Sequence, residues 1–260
     1  MNIRTFFLVV YLVGGFVAAG LSGHAFAAKA GLISEGEALS KFAVATEAYK
    51  AEDYDRAVAV YEDILRGGKE SGALYYNLGN TYFKRGNLGK AILNYERARR
   101  LIPRDGDLNF NLEYARSKAG LSAAEATSWS KLVERRIRNW TDREIAWAFS
   151  GLALAGALLH LASLFGQWPA PWRRWTVSLV CVLWLSCVGS FVAKLAAEED
   201  LAFVITPSEA RFEPRAEATT HFSLTQGTAL SILEEGNAWA KVKRADGKVG
   251  WVPEKVFERF

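Results

Sequence analysis

The sequence predicts a multidomain α + β membrane protein: a helical-repeat solenoid, a two-helix transmembrane hairpin and a small C-terminal β-barrel. Three observations carry this. Side chains recur at an interval of 34 residues between positions 49 and 95, two later stretches carry no formal charge, and short strands take over from residue 202. The 260 residues are 50% hydrophobic with a mean hydropathy of +0.02, too apolar for one soluble domain and too polar for a polytopic transporter. The net charge of +4, from 32 basic and 28 acidic residues, excludes a nucleic-acid binder by charge alone. Seven of the nine Trp fall between Trp129 and Trp184, a crowding typical of membrane interfaces, where indole rings settle at headgroup level.

The chain opens with a charged start (Arg4), an apolar run from Phe6 to about Gly20 and a small-residue tail. Ala25-Phe26-Ala27 fits a signal-peptidase site, so 1–27 reads as a signal peptide cut after Ala27. The alternative is a first membrane helix that is never cut. Either way the mature chain starts outside the cytoplasm.

Ala57 and Tyr61 recur as Ala91 and Tyr95, while Tyr49, Asp53 and Val58 recur as Phe83, Asn87 and Ile92. The second unit reads Tyr75-x2-Leu78-Gly79-x2-Tyr82, then Ala91-x3-Tyr95, then Pro103. It resembles the tetratricopeptide repeat at every marker position. Gly79 and Ala91 stand where the two helices of a hairpin approach closely, Tyr82 and Tyr95 fill the space beside them, and Pro103 stops the second helix. The first unit, from about Ala38, is poorer, with Ala45 for Gly and Ala48 for Tyr. A half unit with Phe110, Leu112 and Tyr114 follows and caps the stack. Residues 31–120 read as one all-helical domain.

The resemblance implies a partner-binding groove lined by the first helix of each unit. Its positions here are Phe42, Thr46 and Tyr49, then Tyr76, Asn80, Phe83 and Lys84, then Phe110. Some members of the family grip a C-terminal carboxylate with a Lys/Asn set, but Asp107 stands where that set needs a cation.

Residues 121–144 form a basic neck. Trp129, Leu132, Val133, Ile137 and Trp140 share one helical face, and Lys131, Arg135, Arg136 and Arg138 occupy the others, the pattern of an interfacial helix on anionic lipid. A solvated helical linker is the alternative. Residues 145–166 and 175–193 are then uncharged, and at ~1.5 Å per residue each can cross a hydrocarbon core of about 30 Å. Transmembrane helices are assigned to 145–166 and 175–196, joined by a tight loop, 167–174, that carries Pro169, Pro171, Arg173 and Arg174. Such a hairpin returns both flanking domains to one side. The positive-inside rule pulls two ways, because the neck is as basic as the loop is. The export signal acts first, so the expected topology is a cytoplasmic loop with both domains periplasmic, at the bacterial inner membrane.

Strands are expected at 202–205, 229–233, 238–243 and 249–252, with a tight turn at Asp246-Gly247. The runs GTALSILEEGNAW at 227–239 and DGKVGWVP at 246–253 resemble bacterial SH3 domains, so 200–260 is expected to form an SH3-like barrel with Trp239 and Trp251 in its core. The resemblance implies a binding module for cell-wall peptide or protein. Val256 stands where many eukaryotic SH3 grooves place Tyr, which argues against polyproline.

No catalytic set can be assembled. His24 leaves with the signal, His160 and His221 lie in separate domains, and Cys181 and Cys187 share one apolar run. Glu234 and Glu235 alternate in a strand and cannot work as a pair. No nucleophile with its base, metal-ligand spacing or phosphate loop is present, so no enzyme activity, cofactor or metal is expected.

The order of signal, helical repeats, two spans and SH3-like domain resembles the E-component family of bacterial Bat (aerotolerance) operons, as does the run DGDLNFNLE at 105–113. That resemblance implies a non-enzymatic scaffold whose partners are membrane proteins with von Willebrand factor A domains and, indirectly, a MoxR-type ATPase. Membrane lipid and peptidoglycan are further expected contacts.

Overall fold

The computed structural model describes residues 33–121, 141–166 and 201–260 except 237, with scattered positions between 169 and 189. The expected signal peptide, most of the neck and most of the second span lie outside the described residues, as do Cys181 and Cys187.

Five helices form the repeat region: α1 (Glu35–Lys50), α2 (Tyr54–Arg66), α3 (Gly72–Lys84), α4 (Leu88–Leu101) and α5 (Gly106–Lys118). Each starts on a polar side chain (Ser34, Asp53, Ser71, Asn87 and Asp105) that accepts a backbone N–H of the first turn. The 34-residue period is visible in the turns. Asp53 and Asn87 are equivalent caps, and Glu52 (φ 60°) and Gly86 (φ 80°) take the same left-handed conformation before them. Only Gly adopts that conformation freely, so Glu52→Gly is expected to stabilise the first hairpin by about 1 kcal/mol, read as a higher urea midpoint at unchanged m.

Ala57, Ala91, Ile92, Leu93 and Tyr95 are fully buried at the centre of this region, and Leu108, Leu112 and Ala115 fasten α5 to it. A Cβ on Gly79 would lie 2.6 Å from the Tyr95 ring, which is why the α3–α4 crossing needs glycine. Glu96, also buried, is held by Arg99 on its own helix and by Arg116 of α5.

Helix α6 (Asp142–Phe165) starts with a capping box between Thr141 and Glu144. Glu144 also pairs with Arg104 of the α4–α5 loop at 2.9 Å. Among the described residues, no helix is long and apolar enough to cross a membrane. The first expected span is therefore not found as such, and most of the second lies outside the described residues.

The C-terminal region is an antiparallel sheet of seven strands: β1 (Leu201–Val204), β2 (Ser208–Arg211), β3 (Thr220–Leu224), β4 (Ala229–Gly236), β5 (Trp239–Arg244), β6 (Val249–Pro253) and β7 (Phe257–Arg259). Their order is β3-β2-β6-β5-β4-β1-β7, with a 3-10 turn at Glu254–Val256 before β7. The expected barrel is corrected here: the edge strands β3 and β7 do not pair, so the sheet is not closed. It still curls, because Phe222 and Leu224 of β3 share one core with Val204 of β1 at the far side. Three strands were not legible in the sequence, namely β2, β3 and β7.

The placement of the two tryptophans is also corrected. Along β5 and β6 it is Ala240, Val242 and Val252 that face the core, and alternation leaves Trp239 and Trp251 half-buried on the outer face. Lys241 lies 5.8 Å from the Trp251 ring centre. At the β5–β6 turn, Gly247 has φ 88° and Arg244 clasps Asp246 at 2.6 and 3.0 Å. The Arg244 hydrogen bond holds the Asp246 carboxyl down at about pH 2. A carboxyl depressed on folding stabilises above its unfolded pKa of about 3.9, and that contribution disappears as pH falls through about 2. The hairpin amides should therefore lose hydrogen-exchange protection between roughly pH 4 and 2, and Asp246→Asn should flatten that dependence.

Large aromatics absent from the sheet's own core serve the repeats instead. Phe203 is 3% exposed within the helical core, and Leu201, Ala229 and Phe260 pack beside it. The β region docks on α4. The Gln226 side chain accepts the Gly89 N–H at 3.2 Å, which satisfies a donor in the helix's open first turn. Arg97 donates to Glu258 (3.1 Å) and to the Arg259 carbonyl (2.6 Å), and the Arg100 guanidinium lies 5.3 Å from the Phe260 ring centre. The approach is close: a Cβ on Gly227 would lie 2.2 Å from Ile92, and one on Gly89 would lie 2.6 Å from the Val204 carbonyl.

Candidate functional site

Helices α1, α3 and α5, the first of each unit, carry the expected groove positions. On α1, Phe42 and Thr46 rest on Tyr61 of α2. The Phe42 and Tyr61 rings meet edge to face with centres 5.5 Å apart. The Thr46 hydroxyl donates to the Phe42 carbonyl (2.9 Å), so the Tyr61 hydroxyl donates to it in turn at 3.1 Å. Tyr49 packs edge to face on Tyr54 at 5.6 Å.

On α3, Tyr76 lies tilted against Tyr95 at 6.1 Å, and Asn80 is the centre of a polar network. Its side-chain oxygen accepts from the Tyr95 hydroxyl at 2.8 Å and from the Asn111 amide at 3.0 Å, and that amide also donates to the Tyr76 hydroxyl at 3.0 Å. Both lone pairs of the Asn80 carbonyl are thereby used. Burial, and then the nearby Tyr76 and Tyr49, push the Tyr95 hydroxyl far above its ordinary range, so it stays a neutral donor at any working pH.

At the third helix the groove becomes open and apolar. Phe83 packs on Tyr114 at 5.6 Å, and Phe110 stacks parallel to Tyr114 at 6.4 Å. Phe110 is 71% exposed and Tyr114 56%, large for aromatics with no core to complete. Lys118 stands 4.8 Å from the Phe83 ring centre, and Lys84 is exposed one residue further along α3. The structure thus gathers Tyr76, Asn80, Phe83 and Phe110 into one connected surface, with Phe42, Thr46 and Tyr49 on the neighbouring helix.

Sequence reasoning missed Asn111, Tyr114 and Lys118 as parts of this surface. Tyr114 was visible one helical turn after Phe110, but it was grouped with Leu112, which faces the other way and is buried. Lys118 needed one further turn of the same counting. Asp107, which disfavours a carboxylate clamp, is exposed in the first turn of α5.

Among the described residues no group of three or more His, Cys, Asp or Glu could hold a metal ion. His221 stacks on Phe212 at 4.3 Å, with its Nδ1 3.0 Å from the Val249 carbonyl, an arrangement that pins the ring to the sheet. Glu234 pairs with Lys241 at 3.7 Å and Glu235 contacts Arg259, so each of the adjacent carboxylates is neutralised separately.

What the surface offers is aromatic area, a fixed amide network and cations at one end, which suits recognition of another chain. None of the curated proteins matches this sequence. Residues 42–106 match the tetratricopeptide repeat family model and residues 210–257 match the bacterial SH3 domain model. The chain carries tetratricopeptide repeats over 42–106 and a bacterial SH3 domain over 210–257, two modules suited to protein–protein interaction.

Proposed function

We propose that the protein is a non-enzymatic, membrane-anchored scaffold that holds envelope proteins through its repeat groove and its SH3 domain, in a Bat-type stress complex. The observation that carries this reading is the exposed ring surface of Phe110 and Tyr114, beside Asn80, Lys118 and the half-buried Phe83, which offers an anchor for a partner's apolar side chains. Membrane proteins with von Willebrand factor A domains are the proposed occupants, with a MoxR-type ATPase reached through them.

Membrane anchoring has its own support. In the sequence, residues 145–166 carry no formal charge. Trp147, Leu152, Leu154, Leu158, Leu159 and Phe165 all stand exposed on α6, an apolar surface that water disfavours and lipid accepts. Leu121 and Leu201, which flank 122–200, pack on the same helical core, and the two modules touch through α4. Two modules in contact share one compartment, which requires an even number of crossings between them. Taken together with the export signal expected at 1–27, this favours a periplasmic position for both modules at the inner membrane. An alkaline phosphatase fusion at Ala197 should be active, and an inactive fusion would reverse the topology.

A second reading is a wall adaptor whose SH3 domain binds peptidoglycan peptide. The half-buried Trp239 and Trp251 on the outer face favour it. In-cell crosslinking followed by membrane extraction separates the two. Recovery of integral von Willebrand A-domain proteins, lost when the groove is altered, supports the scaffold. Wall fragments alone, with pelleting on purified sacculi, support the adaptor. Detection should use an antibody.

A further inference from the structure

Helix α4 has two working faces. Toward the groove, the Tyr95 hydroxyl sets the Asn80 side chain, and Glu96 ties α4 to Arg116 of α5. Away from it, Gly89, Ile92, Arg97 and Arg100 receive the SH3 region. Gln226 completes the hydrogen bonding of the first turn, and Arg97 fastens the last strand by a side chain and a carbonyl. Phe203 and Phe260 fill the helical core from outside, in contact with each other at 5.9 Å. The SH3 region therefore supplies aromatic packing and a helix-end acceptor that the repeats lack.

We infer that the docked SH3 domain is a working part of the repeat groove: it orders α4 and, through Tyr95 and Glu96, the groove residues Asn80 and Asn111. Docked, it holds the groove formed; released, it lets α4 and the groove loosen together. The two states differ in a definable set of contacts, which coupling between sites requires. The interface is also poised to open. The Arg97–Glu258 pair is partly exposed to solvent, and the apolar contact rests on a few side chains. This inference rests on the groove reading above for its functional meaning, but its structural content stands by itself.

The test is amide hydrogen exchange on the full chain in lipid nanodiscs, comparing wild type, Arg97→Glu, Gly227→Val and the reversed pair Arg97→Glu with Glu258→Arg. In both single variants, amides of α3 and α5 should exchange at least about tenfold faster, while β5 and β6 keep their protection. The reversed pair should recover much of the loss, which separates release of the interface from global unfolding. Faster exchange confined to β1, β7 and the first turn of α4 would overturn the coupling and leave the contact passive. Exchange that rises in α3 while groove crosslinking persists would support the coupling and count against the groove as the binding surface.

Discussion

Gly79→Val is expected to cost the repeat region about 3 kcal/mol and lower its melting temperature by roughly 10–20 °C. Even the first carbon of a side chain there would lie 2.6 Å from the Tyr95 ring, and that ring is buried with nowhere to retreat. Moving it breaks the bond from its hydroxyl to Asn80, about 1 kcal/mol more than the overpacking itself. Gly36→Ala, where nothing lies within 4 Å, is the control and should be neutral or slightly stabilising. Shrinking the opposing ring with Tyr95→Leu should restore part of the loss in the double variant. Calorimetry of the four proteins decides it, and a Gly79→Val protein that melts with wild type would show that the crossing is looser than described.

The second large effect is on binding. Truncating Tyr76 and Phe83 to Ala and reversing Lys84 to Glu should weaken partner association at least about a hundredfold, since central aromatic anchors each contribute about 2 kcal/mol or more. The fold should survive, because Tyr76 and Phe83 are half-buried and Lys84 is exposed. Circular dichroism and the unfolding midpoint check that condition. Unchanged affinity in a folded triple variant would remove the groove from the account.

Much of this was written in the sequence because repeats leave periodic marks. Gly79, Ala91 and Tyr95 could be read in advance since one geometry, a close helix crossing, dictates all three. The groove positions on α1 and α3 were implied by the resemblance to the repeat family rather than by spacing alone. What could not be read was non-local. Phe203 and Phe260 look like ordinary strand residues, and nothing in their spacing says that they belong to a helical core more than a hundred positions earlier. Removing them to the repeats leaves the sheet a core of Val, Ala and Leu with Phe222, which is why Trp239 and Trp251 could stay outside it. The short strands β2 and β7 carry three or four residues each, too few for alternation to register. β2 is further obscured by an irregularity at Ala210/Arg211.

The interface also alters how the two modules should be pictured. The sequence alone suggests two independent binders separated by a membrane segment. Contact through α4 makes them one body, so a partner gripped in the groove is held at a fixed distance and orientation from whatever the SH3 domain binds. Fixed geometry avoids much of the entropy loss that flexibly linked modules incur when both engage.

The most direct test of the scaffold reading is site-specific photocrosslinking in living cells, with the photoreactive residue placed in turn at Phe83, Phe110 and Tyr114, and at Val44 on the exposed side of α1 as a reference. Discrete protein adducts are expected at the three groove positions, few at Val44, and they should be lost when Tyr76 and Lys84 are also changed. Adducts that are equal at all four positions, or absent from the groove and present at Val44, would contradict the scaffold reading.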